Sequence, residues 1–306
     1  MREREVYLYG MTVVTTSHRL ADNFPTSGNY CEIVDSHRSP GGETGTCAVV
    51  LGSLGLTVHV DGNYLGRNTY PELVSYFESG SVSLELMTYD PDFAGLEDVV
   101  FIDKETRTSF GQFCEFYADK SLRRWNPANE DAIRSAEVVG LDPFFSEDSV
   151  EVARLCHKHD VDFVTIDCEP ESEVHALSAV DVISEEFLVG NFSDQNFEKL
   201  FSEYTNQTSG LVIFTFGANE LWFGRKGQAI QRFAPYRVAV QSTLGAGDSF
   251  KAGVVYATSK DMDDATLVRF ASATAAAACM HYPIAKSPPD LKRICSVAGE
   301  SFGIDS

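Results

Sequence analysis

From about Glu137 onward, short apolar runs alternate with longer mixed stretches: AEVVGLDPF, SEDSVEVARLCHKHD, VDFVTIDCEP, SAVDVISEEFL and LVIFTFG follow one another. Near-continuous apolar runs of strand length, separated by helix-length segments, predict a parallel sheet with helices on both faces. The earlier part reads differently. Val6 to Val14 reads as a first strand, Glu43 to Leu54 as a helix, Thr57 to Asp61 as a strand and Asn68 to Ser79 as a helix. Between them, NYCEIVDSH (29–37), VSLELMTYD (82–90) and EDVVFIDKETRTSFGQF (97–113) show half-polar, hairpin-like alternation. These predict a small β-sheet lid built from two insertions, about 15–40 and 82–117, on one domain spanning 1–306. ATAAAACM at 273–280 predicts a helix packed closely on another element, or a flat surface for a purine.

Composition narrows the partners. The chain of 306 residues carries 45 Asp plus Glu against 24 Lys plus Arg, a net charge of -21. A nucleic acid would be repelled, and an anionic substrate must be drawn in by local amides or a bound cation. Cysteines at 31, 47, 114, 156, 168, 279 and 295 show no CxxC or zinc-like spacing, so reduced thiols of a cytoplasmic protein are expected. No run of 18 apolar residues occurs, so no membrane partner is expected, and MREREVYLYGMTVV reads as a strand rather than a signal peptide. GxxxxGK[ST], HExxH and a GxGxxG after a strand are all missing. His157 and His159 point about 200° apart on a helix, which suits a solvated pair better than a metal site.

The chemistry gathers at VQSTLGAGDSF, residues 240–250, between an apolar run read as a strand (RVAV) and a helix whose inward face is Phe250, Val254 and Ala257. Gly245, Ala246 and Gly247 would leave backbone N–H groups open at the helix N-terminus, where a phosphate can approach closely. Asp248 places a carboxylate at the same point. Beside an anion site a carboxylate makes sense as a proton acceptor, since phosphoryl transfer to an alcohol needs a base at the hydroxyl and N–H dipoles at the moving group. The plainer alternative is a tight turn followed by a helix-start acid that complements the dipole.

With its neighbours this stretch resembles the second signature of the ribokinase-like (PfkB) sugar kinases, D-T-x-G-A-G-D-x-F, differing at the opening Ser242. Gly41-Gly42-Glu43-Thr44-Gly45-Thr46 through Leu54-Gly55 resembles the first signature, and VDGNYLG (60–66) a further block. Within the family, TLGAGD and Ser184 look most like ketohexokinase. The resemblance implies a three-layer α/β/α domain with a β lid, and ATP and Mg2+ as cofactors. Asp248 becomes the base and the 245–247 backbone the anion hole. Thr215, Gly217 and Thr243 fall where the nucleotide binds, and Ala271 to Cys279 near the adenine pocket. Glu169 and Glu185 fall where acidic or amide groups arrange magnesium through water. Thr15, Gly41, Gly42, Glu43 and Thr46 fall at the sugar. A homodimer through the lid is implied as well.

Three of these positions depart from the family pattern. Thr15 stands where an aspartate grips two sugar hydroxyls, and Glu43 and Thr46 stand where asparagines are expected. Each lost charged hydrogen bond is worth roughly 1.5 to 3 kcal/mol, so the acceptor is expected to differ from the usual hexose or pentose. Glu43 can accept from another polyol or pair with an amine; alternatively it is only a first-turn acid. Ser242 can weaken a monovalent-cation site. Besides a sugar kinase, a nucleoside kinase of the same fold and a catalytically weak binding relative are the rival expectations.

Overall fold

The computed structural model describes residues 5–78, 80–113, 116 and 123–304. The strands are β1 (Glu5–Gly10), β2 (Val13–Leu20), β3 (Ile33–Gly41), β4 (Thr57–Gly62), β5 (Leu65–Gly66), β6 (Val82–Ser83), β7 (Tyr89–Asp90), β8 (Glu97–Ile102), β9 (Arg107–Gly111), β10 (Val138–Leu141), β11 (Asp162–Ile166), β12 (Val180–Ser184), β13 (Leu211–Thr215), β14 (Leu221–Gly224) and β15 (Gln231–Phe233). The helices are α1 (Gly42–Ser53), α2 (Tyr70–Phe77), α3 (Glu130–Ser135), α4 (Glu147–His159), α5 (Glu173–Leu177), α6 (Glu185–Phe192), α7 (Phe197–Gln207), α8 (Ala246–Ser259), α9 (Asp264–Cys279) and α10 (Leu291–Ala298).

Among the described residues one sheet runs β15-β14-β13-β12-β11-β10-β1-β4-β6, parallel except for the β13–β14–β15 end. Alternation along β1 shows why it lies in the middle layer. Val6 and Leu8 enter the apolar core on one face, with Val50, Val255 and Ala271, while Tyr7 and Tyr9 enter the core on the other, with Ile133 and Val152. Both faces are thus buried, which is what continuous apolar strands require. The small side chains near 273–280 let α9 pack on α8, as the composition of that stretch predicts.

A second sheet, β3-β2-β8-β9, stands apart from the first. Its membership corrects the expectation in two places. Val6 to Val14 is not one strand: after Gly10 the Met11 amide donates to Asp142 (2.8 Å) and the Thr12 amide to Asn63 Oδ1 (2.7 Å). These side chains take over ladder hydrogen bonds, so the chain turns out of the main sheet and enters β2. Residues 82–90, assigned to the lid, instead give β6 on the edge of the main sheet and β7 paired with β5. RVAV, read as a strand, forms none: among the described residues it pairs with no strand, and the chain there leads irregularly into the loop before α8. The helices read as 43–54 and 68–79 span 42–53 and 70–77, with residue 79 outside the described residues. Cys114 and the end of the second insertion, 114, 115 and 117, also lie outside them. The six cysteines among the described residues are free, and no helix among those residues is long and apolar enough to cross a membrane.

Candidate active site

The two signature loops, one at the end of β3 and one before α8, meet beside the second sheet. Gly42 opens α1 at φ +76°, and a Cβ there would lie 2.5 Å from the Met11 carbonyl, so only glycine lets the helix start against the end of β1. Gly245 is the N-cap of α8 at φ +76°. Ser242 shapes the preceding turn, its Oγ accepting from the Leu244 amide (3.1 Å), a turn a serine can make in place of the usual aspartate. The C-terminus of α9 braces the same loop, the Cys279 carbonyl accepting from the Gln241 amide (2.8 Å).

A cavity of about 240 Å³ lies between these loops and the second sheet. Thr15, Gly41, Gly42, Glu43, Thr46, Gly245 and Asp248 all line it. The first turn of α8 carries Ala246 and Gly247 beyond this lining. Ala246 donates its amide to the Thr243 carbonyl (3.2 Å) and is engaged. Among the described residues no bond is donated by the amides of Gly245, Gly247 or Asp248. Nothing lies within 4 Å of where a Gly247 Cβ would stand, so the chain's own packing does not use that space. Unbonded amides, a helix N-terminus and open room form a cradle suited to a phosphate.

Five further predicted residues lie outside the cavity lining. Thr215 and Gly217 follow the carboxyl end of β13, and Glu185, on the first turn of α6, places Oε2 3.7 Å from the Cβ position of Gly217. Glu169 is exposed after β11, and no hydrogen bond among the described residues links its side chain to the others. Thr243 is exposed at the rim, where Arg107 reaches it (3.5 Å). No group of three or more His, Cys, Asp or Glu among the described residues is arranged to hold a metal ion.

Several side chains around these loops escaped the sequence reading. Asp142, at the end of β10, accepts from Met11 N and from Thr44 Oγ1 (2.8 Å each) and pairs with Lys251, both buried. Lys251 also donates to the Leu141 carbonyl (3.3 Å). Burial works against its charge, but Asp142 outweighs that and holds Lys251 above the ordinary lysine value. Lys251 sits three residues after Asp248 as the one basic residue of a mostly buried helix, and that charge was a readable signal. Asp167 follows β11 and accepts from the Ser184 amide (2.7 Å) and hydroxyl (3.0 Å); burial pushes it up to about 6. Ser184 also caps α6 by accepting from the Phe187 amide (3.1 Å). From β9, Arg107 lines the cavity and joins Glu186 (3.2 Å) as well as Thr243. Nothing in its local pattern marked it.

The electrostatics centre on two carboxylates. Burial, then Asp142, pushes Glu43 up to about 7. Asp248 is held well above its ordinary value by burial first, then by Glu43 and Asp142, while Lys251 and Arg107 pull it back. A carboxylate raised toward neutrality beside free amides can take a proton from a hydroxyl while the amides face developing negative charge.

A parallel-sheet domain with this loop pair and overlying small sheet defines the ribokinase-like class. The chain belongs to the pfkB family carbohydrate kinases, whose family model matches residues 9–290. A nucleoside kinase of Methanothermobacter thermautotrophicus is 28% identical over 281 residues, covering 83% of this chain and 82% of that one. Two solved structures share the fold. A nucleoside kinase of Methanocaldococcus jannaschii, an archaeal member of the ribokinase family, has a TM-score of 0.77 at 16% identity, covering 97% of this chain and 98% of that one. Arabidopsis thaliana ribokinase complexed with ribose and ATP has a TM-score of 0.76 at 17% identity, covering 97% and 99%. The chain is thus a carbohydrate or nucleoside kinase; the particular likeness to ketohexokinase is not shown by these findings.

Proposed function

We propose that this kinase transfers the γ-phosphoryl group of Mg-ATP to a hydroxyl of a small sugar-like acceptor, with Asp248 as the base. The observation that carries the reading is Asp248 on the cavity wall, in the same turn as unbonded amides at Gly245 and Gly247. As the hydroxyl oxygen bonds to phosphorus and the β–γ bridging bond breaks, the hydroxyl proton passes to Asp248. The Gly245 and Gly247 amides face the charge on the moving group; Ala246 contributes shape, its amide being engaged. Thr215, Gly217 and Thr243 border the nucleotide, with Arg107 over its phosphates from the second sheet. Bound magnesium would neutralise phosphate charge, held through water by Glu185 beside Gly217, with Glu169 at the margin. Thr15, Thr46, Gly41 and Gly42 border the acceptor, and the second sheet acts as a lid that excludes water.

Asp248→Asn lowers kcat by about 10² to 10⁴, the usual worth of a general base, without lowering the unfolding midpoint. Undiminished turnover refutes the assignment. A nucleoside acceptor is the second reading, favoured by the 28%-identical relative. One assay of Mg-ATP consumption across sugars, polyols and nucleosides separates these two from a binding protein with weak transfer, and repeating it in potassium and lithium salts reads the monovalent-ion dependence of the Ser242 loop. A cytoplasmic homodimer paired through the lid completes the proposal, and light scattering reads the pairing.

A further inference from the structure

The acceptor side of the cavity is rich in carboxylates and short of free cations. Glu43 enters from α1, Asp248 from α8 and Asp98 from β8. Thr15 on β2 is flanked in register by Asp98 on β8 and Ser39 on β3, and all three line the cavity. A carboxylate absent from position 15 is therefore present one strand away, on the same face. Asp98 is an expensive residue to keep there. Its Oδ1 is buried and accepts no hydrogen bond, and burial raises its pKa against the help of the Thr15 hydroxyl. Buried acceptors without donors are rare because nothing replaces the water they lose.

Of the basic residues nearby, Lys251 pairs with Asp142, Arg107 reaches Glu186 and Thr243 on the side given to the nucleotide phosphates, and His281 also lines the cavity. Glu43 also works against a neutral acceptor. Its charge opposes ionisation of Asp248, which must be ionised to receive a proton. A positive charge on the acceptor reverses that opposition, because both carboxylates can then ionise together.

We propose that the acceptor is a small polyol carrying a protonated amine, its ammonium group held by Glu43 and Asp98 and its reacting hydroxyl turned toward Asp248. This rests on the kinase reading above and narrows its substrate class.

The test uses matched sets: glucosamine, glucose and N-acetylglucosamine; mannosamine, mannose and N-acetylmannosamine; glucamine and glucitol. Turnover with Mg-ATP and binding by calorimetry are both measured. The free amine is expected to exceed its parent and its neutral amide in kcat/KM by roughly 10- to 100-fold, the range a charge-assisted hydrogen bond implies. Glu43→Gln and Asp98→Asn are each expected to cut that ratio by about tenfold or more. A purely structural role for Asp98 would lower amine and parent alike and leave the ratio alone. Amine-to-parent ratios near one, ratios unmoved by both variants, or no binding of any amine overturn the inference. Selective binding of amines without phosphoryl transfer keeps it and removes the kinase reading; transfer to neutral sugars without preference does the reverse.

Discussion

Glu43→Gln distinguishes two accounts of one residue by the sign of a stability change, with no substrate present. At the first turn of α1, a glutamate gains about 0.3 to 1 kcal/mol from the helix dipole. Were that its main role, the glutamine variant would be slightly less stable at neutral pH. Its surroundings point the other way: burial, then the Asp142 carboxylate, raises Glu43 from 4.5 to about 7. At about 1.4 kcal/mol per pH unit, that interval corresponds to on the order of 3 kcal/mol or slightly more of destabilisation once the group is ionised in both states. Burial therefore outweighs the dipole.

The pH dependence follows from the direction of that change. Below 4.5 the carboxyl is protonated in folded and unfolded chains alike, so glutamate and glutamine should be about equally stable. Between 4.5 and about 7 the unfolded chain releases a proton that the folded chain keeps, so the wild-type protein loses stability as pH rises. Above that window the glutamine variant should be the more stable by its full margin. Urea unfolding at pH 5, 6, 7 and 8, followed by the fluorescence of Trp125 and Trp222, reads the difference directly. A variant that is less stable than wild type at pH 8, or a gap that does not widen between pH 5 and 8, refutes the reasoning. The expected outcome would mean that the chain keeps Glu43 at a cost to its own stability, as a residue held for ligand chemistry does.

Lys251→Met leaves Asp142 buried without its cation, and breaking a buried pair from one side costs about 3 to 5 kcal/mol; urea unfolding should show this, and adding Asp142→Asn should restore part of it. The same variant removes a charge that pulls Asp248 down, so the acid limb of the kcat/KM profile should move to higher pH; an unmoved limb would uncouple Lys251 from the base. Gly245→Ala forces a side chain into φ +76° with its Cβ 2.8 Å from Ile284 Cδ1, and should lose about 1 to 2 kcal/mol together with most of the turnover, whereas unchanged turnover would show that the α8 N-cap shape does not matter to transfer.

What could be read in advance depends on distance along the chain. The parallel sheet was legible because β10 to β13 are continuous apolar runs, a pattern that burial on both faces imposes locally. The GAGD and Gly-Gly loops were legible because a helix start at φ > 0 against a neighbouring backbone demands glycine within a few residues. Asp98 and Arg107 were not, since each looks like an ordinary polar position of a half-exposed strand. Their place in the cavity comes from strand register: Thr15 meets Asp98 only because the chain leaves the main sheet after β1 and β2 runs parallel to β8. The misread first strand and the hidden carboxylate thus have one cause. Once Asp142 and Asn63 take the Met11 and Thr12 amides, Thr15 belongs to the second sheet, and a carboxylate facing the acceptor can come from either strand of that pair. A threonine at position 15 therefore does not leave the acceptor side without acidic groups, and a site lined by Asp98, Glu43 and Asp248 holds more negative charge than a neutral sugar can balance.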